Sequence, residues 1–426
     1  MSLSIRVIIL LFTLTVSCVP AKEKKDKSIY SDNISVAETQ YNHILSEVNT
    51  LDKLPNTRNA DGTLHLDPKE GWVSGFFPGS LWYLYELSGE EKWKKEAIRW
   101  TETLDTIQWY KGTHDIGFMI NCSYGNALRL TKDKKYETVL INAAKTLSER
   151  FNEKTKTILS WDKFTPWGED EEYDFTVIID NMMNLELLYK AEKLSGDTSF
   201  KKIANVHANS TIKHHYRPDY SSYHSIVFNP ETGDLIKKKT SQGYSDNSSW
   251  SRGQAWGLYG FTMCYRETKN MEYLEMAKNI AAYIMNSKFI PEDKVPLWDY
   301  HVGQENYNPD IEIPVEKFGK MRDVSAAAIT ASAFFELSTL VEINAEHYYN
   351  YANDIVNVLS TDKYRAAKEE KNYFILKHSV GSIPHHVYYN EPNAGQVDQP
   401  INYADYYFLE ALVRKKEIDN MTSVDK

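Results

Sequence analysis

A polar corner closed by an aromatic recurs along this chain: LSGEEKW ends at Trp93, LTKDKKY at Tyr136 and LSGDTSF at Phe200. Looser copies, ETKNMEY and EINAEHYY, end at Tyr273 and around Tyr348. In each, the polar corner stops one helix and the aromatic can dock the next helix onto it, which is the chemistry of a repeated helical hairpin. Apolar residues at helical spacing flank these corners near 36–51, 74–88, 91–107, 117–131, 134–150, 180–195, 198–214, 253–268, 271–287, 323–341, 344–360 and 402–414. The pattern predicts an all-α chain of about twelve helices in about six hairpins, with no convincing period-two strands between them.

The corners recur at intervals too long for a short-repeat solenoid. The extra length sits in Lys154 to Thr176, His215 to Arg252, Lys288 to Arg322 and Ala366 to Ile401, linkers rich in Trp, Tyr, His, Asp and Gly. Functional loops on a rigid scaffold have this composition, and six hairpins closed in a ring would carry them around one end. We expect one domain over 36–415, followed by a disordered charged tail over 416–426. Aromatic residues make up 13% of the chain, an excess that fits stacking on sugar rings or filling a core. The net charge of −10 gives no electrostatic footprint for nucleic acid.

At the N-terminus Arg6 precedes an apolar run from Val7 to Val16 and then Ser17 and Cys18. This describes an export signal over 1–18, too short to span a membrane as a mature helix. TVSC resembles a bacterial lipobox, with Thr15 where leucine is usual, so Cys18 is expected to be acylated and to anchor an exported cell-envelope protein. The lysine-rich 19–35 would be a flexible tether. Only Cys122 and Cys264 remain. They are too few for a disulfide framework or a cysteine metal site, and spacing leaves a single bond between them open.

Two carboxylates stand in unusual frames. Asp180 lies between Val177, Ile178 and Ile179 on one side and Met182, Met183 and Leu185 on the other. A carboxylate buried there must be capped, paired or held protonated. Asp115, in GTHDIGF, enters a helix after His114. Either could be a helix N-cap. Two aspartates opening inner helices of one ring would also face the same mouth, as acid and base work on a glycoside requires. SQGYSDNSSWSRGQAWGLYGF gathers Gln242, Trp250, Arg252, Gln254 and Trp256 before another helix. Arg252 is suited to grip a carboxylate or to make a structural salt bridge, and Trp256 offers a sugar face. His224 is either a satisfied core histidine or a site residue. The pairs at 214–215 and 385–386 lack a partner at metal-ligand spacing, so no metal is expected. GxSxG, P-loop and HExxH motifs are absent, and no cofactor is expected.

WVSGFFPGSLWYLYE (72–86), HDIGF (114–118), IIDNMMNLELL (178–188), SSWSRGQAWGLYGF (248–261), HSVGSIPHH (378–386) and NYADYYFLEAL (402–412) together resemble the unsaturated glucuronyl hydrolases of glycoside hydrolase family 88. The resemblance covers most of the chain and implies a six-hairpin (α/α)6 barrel. It implies a substrate released by a polysaccharide lyase, bearing a 4,5-unsaturated uronic acid at its non-reducing end, such as a glycosaminoglycan or ulvan fragment. The family hydrates that double bond: Asp180 would protonate C4 and help activate the water that adds at C5. Asp115 would hold the ring and tune Asp180. His224 and Gln242 would line the pocket, Arg252 would lie near the sugar carboxylate, and Trp72, Trp161 and Trp256 would stack on or shape the site. Members acting on sulfated glycosaminoglycans resemble Ser-x-x-Ser-x-Lys in the late loop; Ser379 and Ser382 match and would contact the substrate, but Pro384 replaces the lysine, so sulfate binding there is not implied. Two other readings are a related unsaturated rhamnogalacturonyl hydrolase and a non-catalytic glycan-binding lipoprotein.

Overall fold

A computed structural model describes residues 21–424, with side chains from 29 to 422. The export signal and Cys18 lie outside the described residues. Every expected helix forms: α1 (Ala21–Glu47), α2 (Phe76–Ser88), α3 (Glu91–Glu102), α4 (116–131, with a π-helical middle at Asn121–Gly125), α5 (Lys135–Ser148), α6 (Asn181–Ser195), α7 (Thr198–His215), α8 (Ser251–Thr268), α9 (Met271–Asn286), α10 (Val324–Leu340), α11 (Ala345–Leu359) and α12 (Asn402–Val424). The recurrent corners work as their sequence implies. Left-handed residues break the chain at Gly89 (φ 74°), Lys132 (60°), Gly196 (75°), Lys269 (58°) and Asn344 (68°), and Trp93, Tyr136, Phe200, Tyr273 and Tyr348 are all buried.

Helices α2, α4, α6, α8, α10 and α12 pack each against the next, and α12 closes on α2, giving an inner ring of six. Small residues at the seams allow this. A Cβ on Gly75 would lie 2.3 Å from the Phe118 carbonyl, and one on Gly260 would lie 2.6 Å from Met182 Cβ. Five hairpins pair consecutive helices. The sixth joins α12 to α1 from the other end of the chain, with Tyr30 Oη donating to Asp419 Oδ2 at 2.8 Å and Tyr41 Oη to Asp405 Oδ2 at 3.4 Å. Since every hairpin returns the chain to its start, all six inner helices begin at one mouth. Their N-termini, the positive ends of their dipoles, surround it.

Two expected boundaries are corrected. Residues 21–35 belong to α1 rather than to a flexible tether, because Asn33 is buried and donates to Ser360 Oγ at 2.8 Å. The tail is helical to Val424, held by Asp419, which takes the Lys415 ammonium at 2.6 Å, and by Ile418, which packs on the core. The linkers also contain strands that the pattern did not announce. Antiparallel pairs form between β1 (Lys53–Arg58) and β2 (Leu64–Pro68), β3 (Phe151–Asn152) and β4 (Thr157–Ile158), and β8 (Ser379–Val380) and β9 (Val397–Gln399); β5 (Thr176–Ile178), β6 (Ser225–Phe228) and β7 (Leu235–Lys239) make a three-stranded sheet. Most are too short to show an alternating pattern.

Candidate active site

β5 runs straight into α6, and the junction is Asp180. Its backbone is already helical (φ −56°, ψ −25°), so the side chain makes no capping hydrogen bond and the N-cap reading fails. The residue is 7% exposed, and Oδ2 is buried with no hydrogen-bond partner within the chain. Burial pushes its carboxyl up to about 7; nearby Arg252 opposes the rise, and the charge of Asp115 adds to it. The Trp256 indole N–H, beside the carboxyl but outside hydrogen-bonding geometry, favours the ionised form slightly.

The β5–β6 pairing is continued by Ile179 N donating to the His224 carbonyl at 3.0 Å, which carries His224 to Asp180. His224 Nε2 stands 3.9 Å from Asp180 Oδ2. Its Nδ1 accepts the Ser241 N–H at 3.0 Å, so the hydrogen-bond network assigns the ring proton to Nε2, facing the acid. Burial, with help from Arg252, lowers this histidine to about 3, so it is neutral. Trp161 and Trp250 meet the ring edge-on at centroid distances of 5.7 and 4.8 Å.

Asp115 opens α4 on the adjoining inner helix and likewise makes no cap bond. Thr113 Oγ1 donates to its Oδ2 at 2.8 Å, and His114 Nε2 lies 3.2 Å from Oδ1. His114 is fully buried, with Nδ1 3.2 Å from the Ser160 carbonyl, and burial holds its pKa below the usual imidazole value.

Both aspartates line a cavity of about 430 Å³ at the mouth, with Trp72, Trp161, Trp167, Gln242, Arg252, Ser382 and Tyr403 among its walls. That size suits a small sugar. Three expected residues stand behind the wall. Trp256 is fully buried against Phe118 and Tyr407, so it shapes the floor beneath Asp180 and offers no sugar face. Ser379 is fully buried in β8, and His224 acts from behind Asp180. Arg252 is the structural ion pair that its sequence also allowed. Nη1 bonds Asp323 Oδ2 at 2.7 Å and the Val380 carbonyl, Nη2 bonds the Gly381 carbonyl at 2.6 Å, and Nε has no partner. These bonds fix the guanidinium at the cavity wall and leave its Nε–H without a partner within the chain.

The sequence reading missed Trp167, Asp323, Asn393 and Gln396. Trp167 Nε1 donates to the Ser241 carbonyl at 2.9 Å and its ring lies 4.8 Å from Tyr388. It sits in an irregular linker with no periodicity to mark it. Asp323 was readable as an N-cap before Ser325, but not as the partner of Arg252 71 positions away. Among the described residues no group of three or more His, Cys, Asp or Glu is placed to hold a metal, and no helix is long and apolar enough to cross a membrane. Cys122 and Cys264 are buried free thiols.

No family model matches the chain. It is 39% identical over 399 residues to an unsaturated glucuronyl hydrolase of Formosa agariphila, covering 93% of each chain. It is 32% identical over 350 residues to an unsaturated chondroitin disaccharide hydrolase of Streptococcus agalactiae, covering 80% of this chain and 81% of the relative. The crystal structure of an unsaturated glucuronyl hydrolase specific for heparin superposes with a TM-score of 0.81 at 44% identity, over 94% of this chain and 99% of that one. A closed ring of six helical hairpins and kinship over nearly the whole chain lead to one assignment: this protein belongs to the unsaturated glucuronyl hydrolases of glycoside hydrolase family 88.

Proposed function

We propose that the cavity takes the 4,5-unsaturated glucuronyl end of a lyase-generated oligosaccharide and that Asp180 supplies the proton that starts its hydration. The observation that carries this reading is a carboxyl group pushed up to about 7, with one oxygen unpartnered and buried at the cavity wall. Such a group keeps a substantial protonated fraction near neutral pH, where an ordinary carboxylate keeps almost none, and can serve as a general acid.

The C4–C5 π electrons take the Asp180 proton at C4, leaving positive charge at C5 that the ring oxygen shares. The new Asp180 carboxylate then accepts a proton from the water that attacks C5, which restores the acid. The resulting hemiketal opens at the C5–O5 bond, leaving a ketone at C5 and a hemiacetal at C1 that expels the remaining glycan as an alcohol. Asp115 holds the ring hydroxyls, and its charge keeps the Asp180 proton in place. His224, neutral and with Nε2–H toward Asp180, favours the carboxylate formed after proton transfer. Trp72 and Trp161 bound the sugar.

The leaving side is uncharged. Pro384 occupies the first turn of a short helix (Ile383–Tyr389) that Ser382 caps through its Oγ, and Gln242, Asn393 and Gln396 continue that wall. Arg252 is the cation lining the cavity, and Asp323 neutralises it. The preferred leaving sugar therefore carries no sulfate toward this wall, and the likeness to a heparin-specific relative favours unsulfated heparin-type disaccharides. The test is loss of ultraviolet absorbance of the conjugated double bond with digests of heparin, chondroitin, hyaluronan and ulvan, sulfated and unsulfated. A tenfold or greater preference for the unsulfated heparin-type disaccharide is expected. No loss with any digest, alongside measurable binding, would leave the glycan-binding reading.

Cys18 follows a lipobox-like TVS, and we propose that it is acylated and anchors the exported enzyme to the cell envelope. Incorporation of radiolabelled fatty acid by the wild type but not by Cys18→Ala is the expected result; equal labelling of both would end that proposal.

A further inference from the structure

We infer that Asp299 is a positioning residue for the acid, acting through the 240–250 segment and His224; this rests on the roles given above to Asp180 and His224. Asp299 is fully buried in the linker between α9 and α10. Its Oδ2 accepts from Tyr244 N at 2.9 Å and from Ser248 Oγ at 2.6 Å, while Oδ1 accepts from His301 N at 2.8 Å. A carboxylate satisfied by three donors is held firmly, and it holds its donors in turn.

Two of these donors, Tyr244 N and Ser248 Oγ, come from a stretch with no helix or strand of its own between β7 and α8. Asp246 fixes its first half, accepting Thr240 N at 2.8 Å and pairing with Lys239 at 2.6 Å. Asp299 fixes the second half. Gly243 passes so close that a Cβ there would lie 2.7 Å from Thr240 Oγ1 and 3.1 Å from Asp299 Oδ2. The pinned segment delivers three things to the site. Ser241 N–H reaches His224 Nδ1 at 3.0 Å, the Trp250 ring backs His224 at 4.8 Å, and Ser241 and Gln242 line the cavity. The Ser241 N–H determines which nitrogen of His224 keeps the proton, so the clamp at Asp299 sets the tautomer that presents Nε2–H to Asp180. Asp115, Arg252 and Trp256 also bear on Asp180, and none of them hydrogen-bonds to Asp299.

The experiment compares wild type with Asp299→Asn and Ser248→Ala. It reads the nitrogen-15 resonances of His224, assigned with His224→Gln, and the pH–rate profile on the preferred disaccharide. The expected result in wild type is a bare Nδ1 and a protonated Nε2. Asp299→Asn should show a fraction of His224 with the proton on Nδ1. Its kcat should fall about tenfold with KM within about twofold, and the basic limb of the profile should move to higher pH. Ser248→Ala, which removes one of the three donors, should show the same changes in smaller measure, and it carries the test should Asp299→Asn not fold. Loss of thermal stability with the wild-type tautomer and pH limb in both variants would make Asp299 purely structural and overturn the inference. Wild-type protein inactive on every digest, with the His224 tautomer as expected, would instead overturn the proposed function.

Discussion

The two ends of the barrel's inner ring treat buried charge in opposite ways. Away from the mouth, Arg266 binds Glu336 at 2.6 Å and also pairs with Glu186 and Glu267; Arg414 meets Glu336 at 2.9 Å and Glu410 at 3.6 Å. Glu410 also accepts Tyr83 Oη at 2.7 Å and Ser332 Oγ at 2.6 Å. Burial there is outweighed by cations, and Glu186 is drawn down to about 2. At the mouth, Asp180 Oδ2, His224 Nε2, His114 Nε2 and Arg252 Nε have no hydrogen-bond partner within the chain. Unpartnered buried polar atoms cost stability, so a cluster of them marks where the fold gives up stability for chemistry. The paired end shows the same helices matching most of their buried carboxylates with guanidinium groups, with Glu267 Oε2 and Glu336 Oε2 left outside hydrogen-bonding geometry.

The largest test of this contrast is Asp180→Asn. A lost general acid is expected to lower kcat by about 10²–10⁴. An unfolded aspartate loses its proton near 3.8 and the folded one near 7, so the folded state binds more protons between these values and stability falls as pH rises through them. The asparagine lacks that penalty, and denaturant melts at pH 8 should find it about 2–4 kcal/mol more stable than wild type. An active variant, or one less stable at pH 8, would break the comparison at the mouth.

The reciprocal change is Arg414→Ala at the paired end, which strips cationic partners from Glu336 and Glu410. It should cost about 3–5 kcal/mol in denaturant unfolding while kcat, measured well below the melting temperature, stays within about twofold. A fall in kcat without a fall in stability would mean that the two ends are not separable.

Finer changes probe the coupling inside the mouth. Wild-type kcat should decline above about pH 7 as Asp180 ionises. Because the Asp115 charge raises Asp180, Asp115→Asn should shift that limb about 0.5–1 unit toward lower pH and lower kcat about 10–100-fold. A limb left in place would remove Asp115 from the acid's electrostatics. Ser382→Ala should be the mildest: the hydroxyl caps a short helix at the cavity wall, so KM should rise about threefold with kcat unchanged in steady-state assays.

The helices and their corners were legible because each repeats a local signal, a left-handed break followed by an aromatic anchor. The short strands were not, since a two- or three-residue strand gains its meaning only from a partner far along the chain. Within the site, Asp180 was legible from its apolar frame. The frame could not tell a capping side chain from an uncapped one; that required the helical φ and ψ of Asp180, which withdraw its side chain from capping. Arg252 was legible as a cation in a motif, yet its engagement by Asp323 depended on the closure of α8 against α10. Trp256 and Ser379 were placed on the sugar side by resemblance, and only packing showed them behind it.

The hairpin formed by α1 and α12 has a consequence for the order of assembly. Tyr30 and Asp419 are 389 positions apart, so the ring cannot close until almost the whole chain is made. The entropy of closing so long a loop grows only with the logarithm of its length, and the last step is slow chiefly because it must await α12. In the folded chain α12 covers the faces of α2 and α10 that would otherwise meet water. Tyr403, which lines the cavity, arrives in that same step. The cavity is therefore complete only once α12 has closed the ring, and removal of α12 would leave Asp180 without the wall that Tyr403 supplies.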